Sequence, residues 1–178
     1  MPEYHSTYKL TIKFNGIFDF SGLYRVSHDW MINQGYYFEE KLYKHKVPSP
    51  AGAEQDIEWE GWIKATEYIK YWIYMYIKLF DLKEIEVIKD GEKKKLYKAR
   101  MIIEISGDVE LDYTNRFGSS RFGLALRNFM HKHVWKHTEG RIGSIWWDEL
   151  YYRTFKLHQV IKEFLDMESK GNAYYDMW

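Results

Sequence analysis

From Ile57 to Tyr113 apolar and polar residues alternate with few interruptions. The apolar set falls on odd positions: Ile57, Trp59, Ile63, Ile69, Tyr71, Ile73, Met75, Ile77, Leu79, Ile85 and Val87, then Tyr97, Ala99, Met101, Ile103, Ile105, Val109, Leu111 and Tyr113. A period of two puts all of them on one face of an antiparallel sheet. The stretch therefore predicts a meander of strands at about 57–65, 68–88 and 94–113 with one side buried. Lys89-Asp90-Gly91 is expected to close the last hairpin, with Gly91 left-handed. Keeping both apolar sets together requires paired residue numbers to sum to an even value, because a slip of one residue flips a strand. A sum of 180 pairs Lys70 with Glu110 and Glu86 with Lys94, and a sum of 182 pairs Lys78 with Glu104 and Glu84 with Lys98. So long a ribbon is expected to bend, near Gly107 or over 81–83.

Before the meander, Tyr8, Leu10, Ile12 and Phe14 alternate with polar residues and read as a strand ending at the turn pair Asn15-Gly16. Asp19 or Ser21 can cap a helix carrying Phe20, Leu23, Val26, Trp30 and Met31, with Gly35 at its C-terminal cap. A second strand is expected over 36–47, then an exposed loop over 48–52. After Tyr113 the period becomes 3.6. Ser119 or Ser120 caps a helix expected to reach about His137, and a last helix is expected over about 145–167. Its stripe of Trp146, Leu150, Leu157, Ile161 and Phe164 lies opposite Asp148, Tyr152, Lys156, Gln159 and Glu163, so it should lie on the sheet. In the tail, Tyr174, Tyr175 and Trp178 are expected to dock. The fold class is α+β in a single domain: a curved antiparallel sheet of five or six strands packed against amphipathic C-terminal helices.

That order of strand, helix, antiparallel strands and closing amphipathic helix is similar to the helix-grip arrangement of START-like and Bet v 1-like proteins. The resemblance covers most of the chain and is one of element order. It implies a ligand cavity or an interaction scaffold, and a shared fold does not choose between them. In the cavity version Tyr71, Ile73, Met75, Met101 and Ile103 from the sheet, with Trp146, Leu150, Leu157 and Ile161 from the last helix, enclose a hydrophobic small molecule.

Composition narrows this. Lys plus Arg and Asp plus Glu both number 26, so no net field recruits nucleic acid or an anionic membrane, though a local patch is still open. The absence of cysteine excludes disulfides, thiolate metal sites and cysteine nucleophiles. No apolar run is long enough for a signal peptide or a bilayer-spanning helix, so the expectation is a cytoplasmic protein with no membrane span. Eight Trp, sixteen Tyr and ten Phe promise a ring-rich core or an adhesive surface.

For chemistry the sequence offers little. His133 and His137 lie four apart on one helix face, half of a zinc site, but no H-E-x-x-H arrangement surrounds them. Histidines at a helix C-terminus account for them better, on the same side as Phe122, Leu126 and Phe129, which is expected to face the core. Gly118 to Gly123 lacks the Lys-Ser/Thr of a phosphate loop, and Glu39-Glu40 and Asp148-Glu149 point apart. The basic run from Lys89 to Arg100 reads as a solvated sheet edge. We therefore expect no enzyme and no cofactor.

The anomaly is the even side of the fourth strand, where Tyr68, Trp72, Tyr74, Tyr76 and Phe80 replace the charges that the fifth strand carries. A covering helix or loop, another subunit, a nucleic-acid stacking platform and a carbohydrate-like ligand all fit such a face. Acidic neighbours count against nucleic acid. The expected function is a non-catalytic binding module of helix-grip type with a hydrophobic cavity. The alternative is a structural subunit that self-associates through this aromatic face and the long hairpin.

Overall fold

The computed structural model describes residues 3–49, 52–89, 92–115, 120–129, 133 and 142–167. Its elements are β1 (Glu3–Ser6), β2 (Leu10–Phe18), α1 (Phe20–Asn33), β3 (Tyr37–Ser49), β4 (Gly52–Lys64), β5 (Ile69–Lys89), β6 (Glu92–Leu111), α2 (Arg121–Phe129) and α3 (Ile142–Phe164). The strands form one antiparallel sheet in the order β1-β6-β5-β4-β3, and β2 also pairs with β6. The class is α+β.

β1 and β2 are two halves of one edge strand. Glu3–Ser6 face Asp108–Leu111, and Leu10–Phe18 face Tyr97–Ile105. Between them the Thr7 amide donates to the Gly107 carbonyl at 2.8 Å, and the Thr7 hydroxyl accepts from the Gly107 amide at 2.9 Å. A side-chain oxygen thus stands in for a ladder carbonyl. Gly107 is needed there: a Cβ would lie 2.7 Å from the Trp72 carbonyl oxygen and 3.1 Å from Leu150 Cδ2, so its absence lets α3 approach the sheet. Asn15 and Gly16 do not turn the chain as expected. They pair with Arg100 and Ala99, because β6 is long enough to carry β2 through to Phe18.

The register resolves the two even sums. Pairs from Ile69↔Leu111 to Phe80↔Arg100 sum to 180. A bulge between Phe80 and Lys83, with Asp81 left-handed at φ 56°, then moves the hairpin tip by one residue. Glu86 consequently faces Lys95 rather than Lys94. The bend is at the second of the two expected places. Lys89 pairs with Glu92, and Asp90 and Gly91 lie outside the described residues. Likewise Ser49 pairs with Gly52 across Pro50 and Ala51, also outside them.

α1 begins where Asp19 accepts a hydrogen bond from the Gly22 amide at 3.0 Å. It ends with the Tyr36 amide donating to Met31 and Gly35 at φ 81°, the left-handed cap that glycine tolerates. α1 and α3 pack against each other and on the odd side of the sheet. Ile57, Ile73, Leu79, Ile103, Ile105, Leu150, Leu157 and Ile161 are all 0% exposed in one continuous core. Burying each such side chain contributes about 1.5–3 kcal/mol. The five polar positions opposite the α3 stripe are all exposed.

The Phe122–Leu126–Phe129 stripe does not face the core. These residues are 79%, 40% and 56% exposed, because no described strand or helix packs broadly on α2. The expected continuation of that helix to His137 and the aromatic tail fall outside the described residues, except His133.

Candidate functional site

The even side of the meander faces away from α1 and α3, and its aromatic side chains are half-buried. Cross-strand register builds the site. Tyr37 on β3 stands opposite Trp62 on β4, and Trp62 opposite Trp72 on β5. Their ring centroids are 5.1 and 6.3 Å apart, and Tyr74 continues the row from Trp72 at 6.4 Å with the two rings within 1° of parallel. These separations are those of favourable aromatic pairs. Rings on neighbouring strands meet here because paired residues share a face.

Polar tips hold the rings down. Trp72 Nε1 donates to Glu110 Oε2 at 2.6 Å, and the Tyr4 hydroxyl donates to the other oxygen at 3.2 Å. The Tyr76 hydroxyl donates to Asp56 at 3.1 Å. Lys70 lies 4.9, 4.8 and 5.1 Å from the ring centroids of Trp62, Trp72 and Tyr113, with Glu110 at 3.8 Å. It is a cation between three aromatic faces and a carboxylate. Burial first, then the charges of Asp108 and Glu60, pushes the Tyr74 hydroxyl well above its ordinary range. Burial and then Asp56 also raise the Tyr76 hydroxyl above its ordinary value.

Ser106 is small, and beside it the face sinks into a recess of about 240 Å³ lined by Tyr74, Tyr76, Glu58, Glu60, Glu104, Lys9 and Lys41. Lys9 pairs with Glu104 at 2.9 Å and Lys41 with Glu60 at 3.8 Å. The carboxylates of this face thus hold an indole, phenols and ammonium groups. That arrangement fixes rings in place and presents ring area.

Of the expected interaction residues, Trp72, Tyr74 and Tyr76 come together. Phe80 lies apart at the bulge, between Lys78 at 5.1 Å and Arg100 at 5.5 Å. Tyr68 leaves the group and packs against the odd-side core. Trp62, Tyr37 and Tyr113 lie outside the expected set, and Glu110, expected only as the cross-strand pair of Lys70, also anchors Trp72 and Tyr4. Trp62 was legible, being an even-numbered ring in a strand whose odd residues are the core; Tyr37 depended on a register that the less regular β3 pattern does not reveal.

The residues expected to enclose a ligand lie on the other side. Tyr71, Ile73, Met75, Met101, Ile103, Leu150, Leu157 and Ile161 are at most 1% exposed, and Trp146 is partly buried, its ring 6.2 Å from that of Tyr71. The Tyr71 hydroxyl donates to Glu149 at 3.1 Å, and Arg153 reaches the same carboxylate at 2.8 Å. His133 is exposed with its ring 5.0 Å from Phe129, and His137 lies outside the described residues. Among the described residues no three metal-ligating side chains converge.

No family model matches the chain, and none of the curated proteins does. Among solved structures it is similar to an uncharacterised protein from Rhizobium leguminosarum, at 11% identity over 94% of this chain and 99% of that one, with a TM-score of 0.23. A likeness that slight carries no functional argument.

Proposed function

We propose that this chain is a non-catalytic interaction module of helix-grip type that works through its aromatic sheet face, and that the partner there is a second copy. The observation that carries this is the row Tyr37–Trp62–Trp72–Tyr74, laid across three strands on the side opposite α1 and α3. The pairing of the first strand with the last, and the packing of α3 on the sheet, support the helix-grip part. Both signs are interleaved on the face, Lys70 with Glu110 and Lys78 with Asp56, which lowers the repulsion a second copy meets there. Five strands at about 4.8 Å spacing and about eight residues of length present ~600 Å² per copy. Two copies bury ~1,200 Å², the lower end of the range for stable interfaces.

Light scattering on the eluting protein tests this at tens of micromolar, with Tyr37→Ser plus Trp62→Ser as the variant. The expected result is a dimer that the variant converts to a monomer with an unchanged circular dichroism spectrum. A wild-type monomer throughout that concentration range would end the proposal.

A second reading places a hydrophobic small molecule between the sheet and α3. One observation favours it: the Tyr36 hydroxyl is buried without a hydrogen bond of ordinary geometry, beside Arg153 and Glu149. Solvent extraction and mass spectrometry of the purified protein test it, and an empty extract would count against it.

A further inference from the structure

Among the described residues no strand or other helix packs broadly on α2. Its start is set by its own sequence, with the Gly123 amide donating to the Ser120 hydroxyl at 3.0 Å. Phe122, Leu126 and Phe129 follow at intervals of four and three, which places them on one side of the helix. All three are exposed, Phe122 at 79%. His133 comes at the next interval and its ring lies against Phe129. Three large apolar side chains together in water mark a contact surface.

We infer that α2 is a docking helix for an anionic lipid surface. The charge around the stripe selects that occupant. The whole chain is balanced, yet between Tyr113 and Thr138 it has five Lys or Arg and no Asp or Glu. Exposed Phe and Leu in a segment with one sign of charge is the composition of a helix that lies in a headgroup layer. Each basic residue near such a surface strengthens binding about fivefold. A second copy fits poorly here, because a twofold axis through the stripe brings like charges together; the sheet face, with both signs interleaved, has no such obstacle. No described helix is long and apolar enough to cross a membrane. Contact with lipid through α2 is therefore peripheral, and it is independent of what the sheet face binds.

Co-sedimentation of the full chain with phosphatidylcholine vesicles containing about 30% phosphatidylserine tests the inference, against pure phosphatidylcholine and at about 0.5 M salt. The expected result is binding to the anionic vesicles only, weakened by salt. Phe122→Ser with Phe129→Ser should reduce it at least about tenfold, and Arg121→Gln about fivefold. These positions are exposed, so thermal melts should match wild type. Absence of binding to anionic vesicles at low salt overturns the inference, as does equal binding to neutral vesicles or binding that both variants retain. Self-association lost in the double Phe variant, without vesicle binding by wild type, assigns the stripe to a second copy and overturns it equally.

Discussion

β5 has two sides that bury large side chains by different means. On the odd side Ile73, Met75, Ile77 and Leu79 are at most 2% exposed, beneath the layer formed by α1 and α3. On the even side Trp72, Tyr74 and Tyr76 are half-buried without such a layer among the described residues. Hydrocarbon suits the first side because a second layer supplies contact in every direction and no polar tip needs a partner. The second side uses amphipathic rings, which shield one another while an indole N–H or a phenol reaches a carboxylate at the same level. Where α1 and α3 cover the face, aliphatic side chains predominate beside the single anchored ring of Tyr71 on β5; where no described element does, rings tied down by Glu110 and Asp56 make a layer one side chain thick.

The largest expected effect tests that contrast directly. Ile103→Ala on the odd side should cost about 2–5 kcal/mol, because the rigid sheet and α3 cannot close the cavity. Trp62→Ala removes a larger side chain from the even side and should cost only about 1–2 kcal/mol, since its neighbours already face water. Urea unfolding of both variants provides the comparison. Equal losses would mean that the even face is as fully packed as the core, and the distinction would fail.

A smaller effect separates ring area from polar anchoring. Trp72→Phe keeps an aromatic ring in the row but removes the donor to Glu110, which is 5% exposed. A hydrogen bond to a buried carboxylate contributes about 1.5–3 kcal/mol, so a loss in that range is expected by chemical denaturation. Tyr4 and Lys70 still hold the carboxylate, which keeps the loss from reaching that of a stranded charge. A loss near zero would mean that the rings alone make the layer.

This contrast also explains what could be read from the sequence. A period of two needs only the identity of each residue, so the odd core, the meander and the stripe of α3 were all legible. Asp19 and Ser120 were each legible as one of two neighbouring candidate caps, because the hydrogen bonds they accept are local. The bulge at Asp81 was placed only as one of two alternatives, since parity alone does not say which strand gains a residue. At Asn15-Gly16 the local turn preference predicts a strand end, and the long partner β6 overrides it. α2 shows the limit most clearly: an amphipathic stripe predicts that one side seeks apolar contact, and says nothing about whether this chain provides it. Within the aromatic face, Trp72 and Tyr76 were legible by parity. Trp62 could have been found in the same way, whereas Lys70 between three rings required the register of β4, β5 and β6 together.

The smallest effect at neutral pH comes from removing single hydroxyls, and its sign should differ between the two sides. Tyr76→Phe takes the donor from Asp56 on the even side and should destabilise by about 1 kcal/mol. Tyr36→Phe removes a buried hydroxyl that makes no hydrogen bond of ordinary geometry, and should be neutral or stabilising by up to about 1 kcal/mol. Alkali makes the second case diagnostic. Burial pushes the Tyr36 phenol up to about 12 against the opposing pull of Arg153, so the folded state holds this proton more tightly than the unfolded chain. That contribution is fully present below pH ~10, the unfolded value, and is lost as pH rises through ~12. Two pH units correspond to about 3 kcal/mol, so Tyr36→Phe should gain on wild type by roughly that amount as pH approaches 12, measured by urea unfolding across the alkaline range. A stability difference between Tyr36→Phe and wild type that stays flat from pH 7 to 12 would show that Tyr36 ionises as freely in the fold as outside it, and the odd side would then not be the dry layer that sets it apart from the even one.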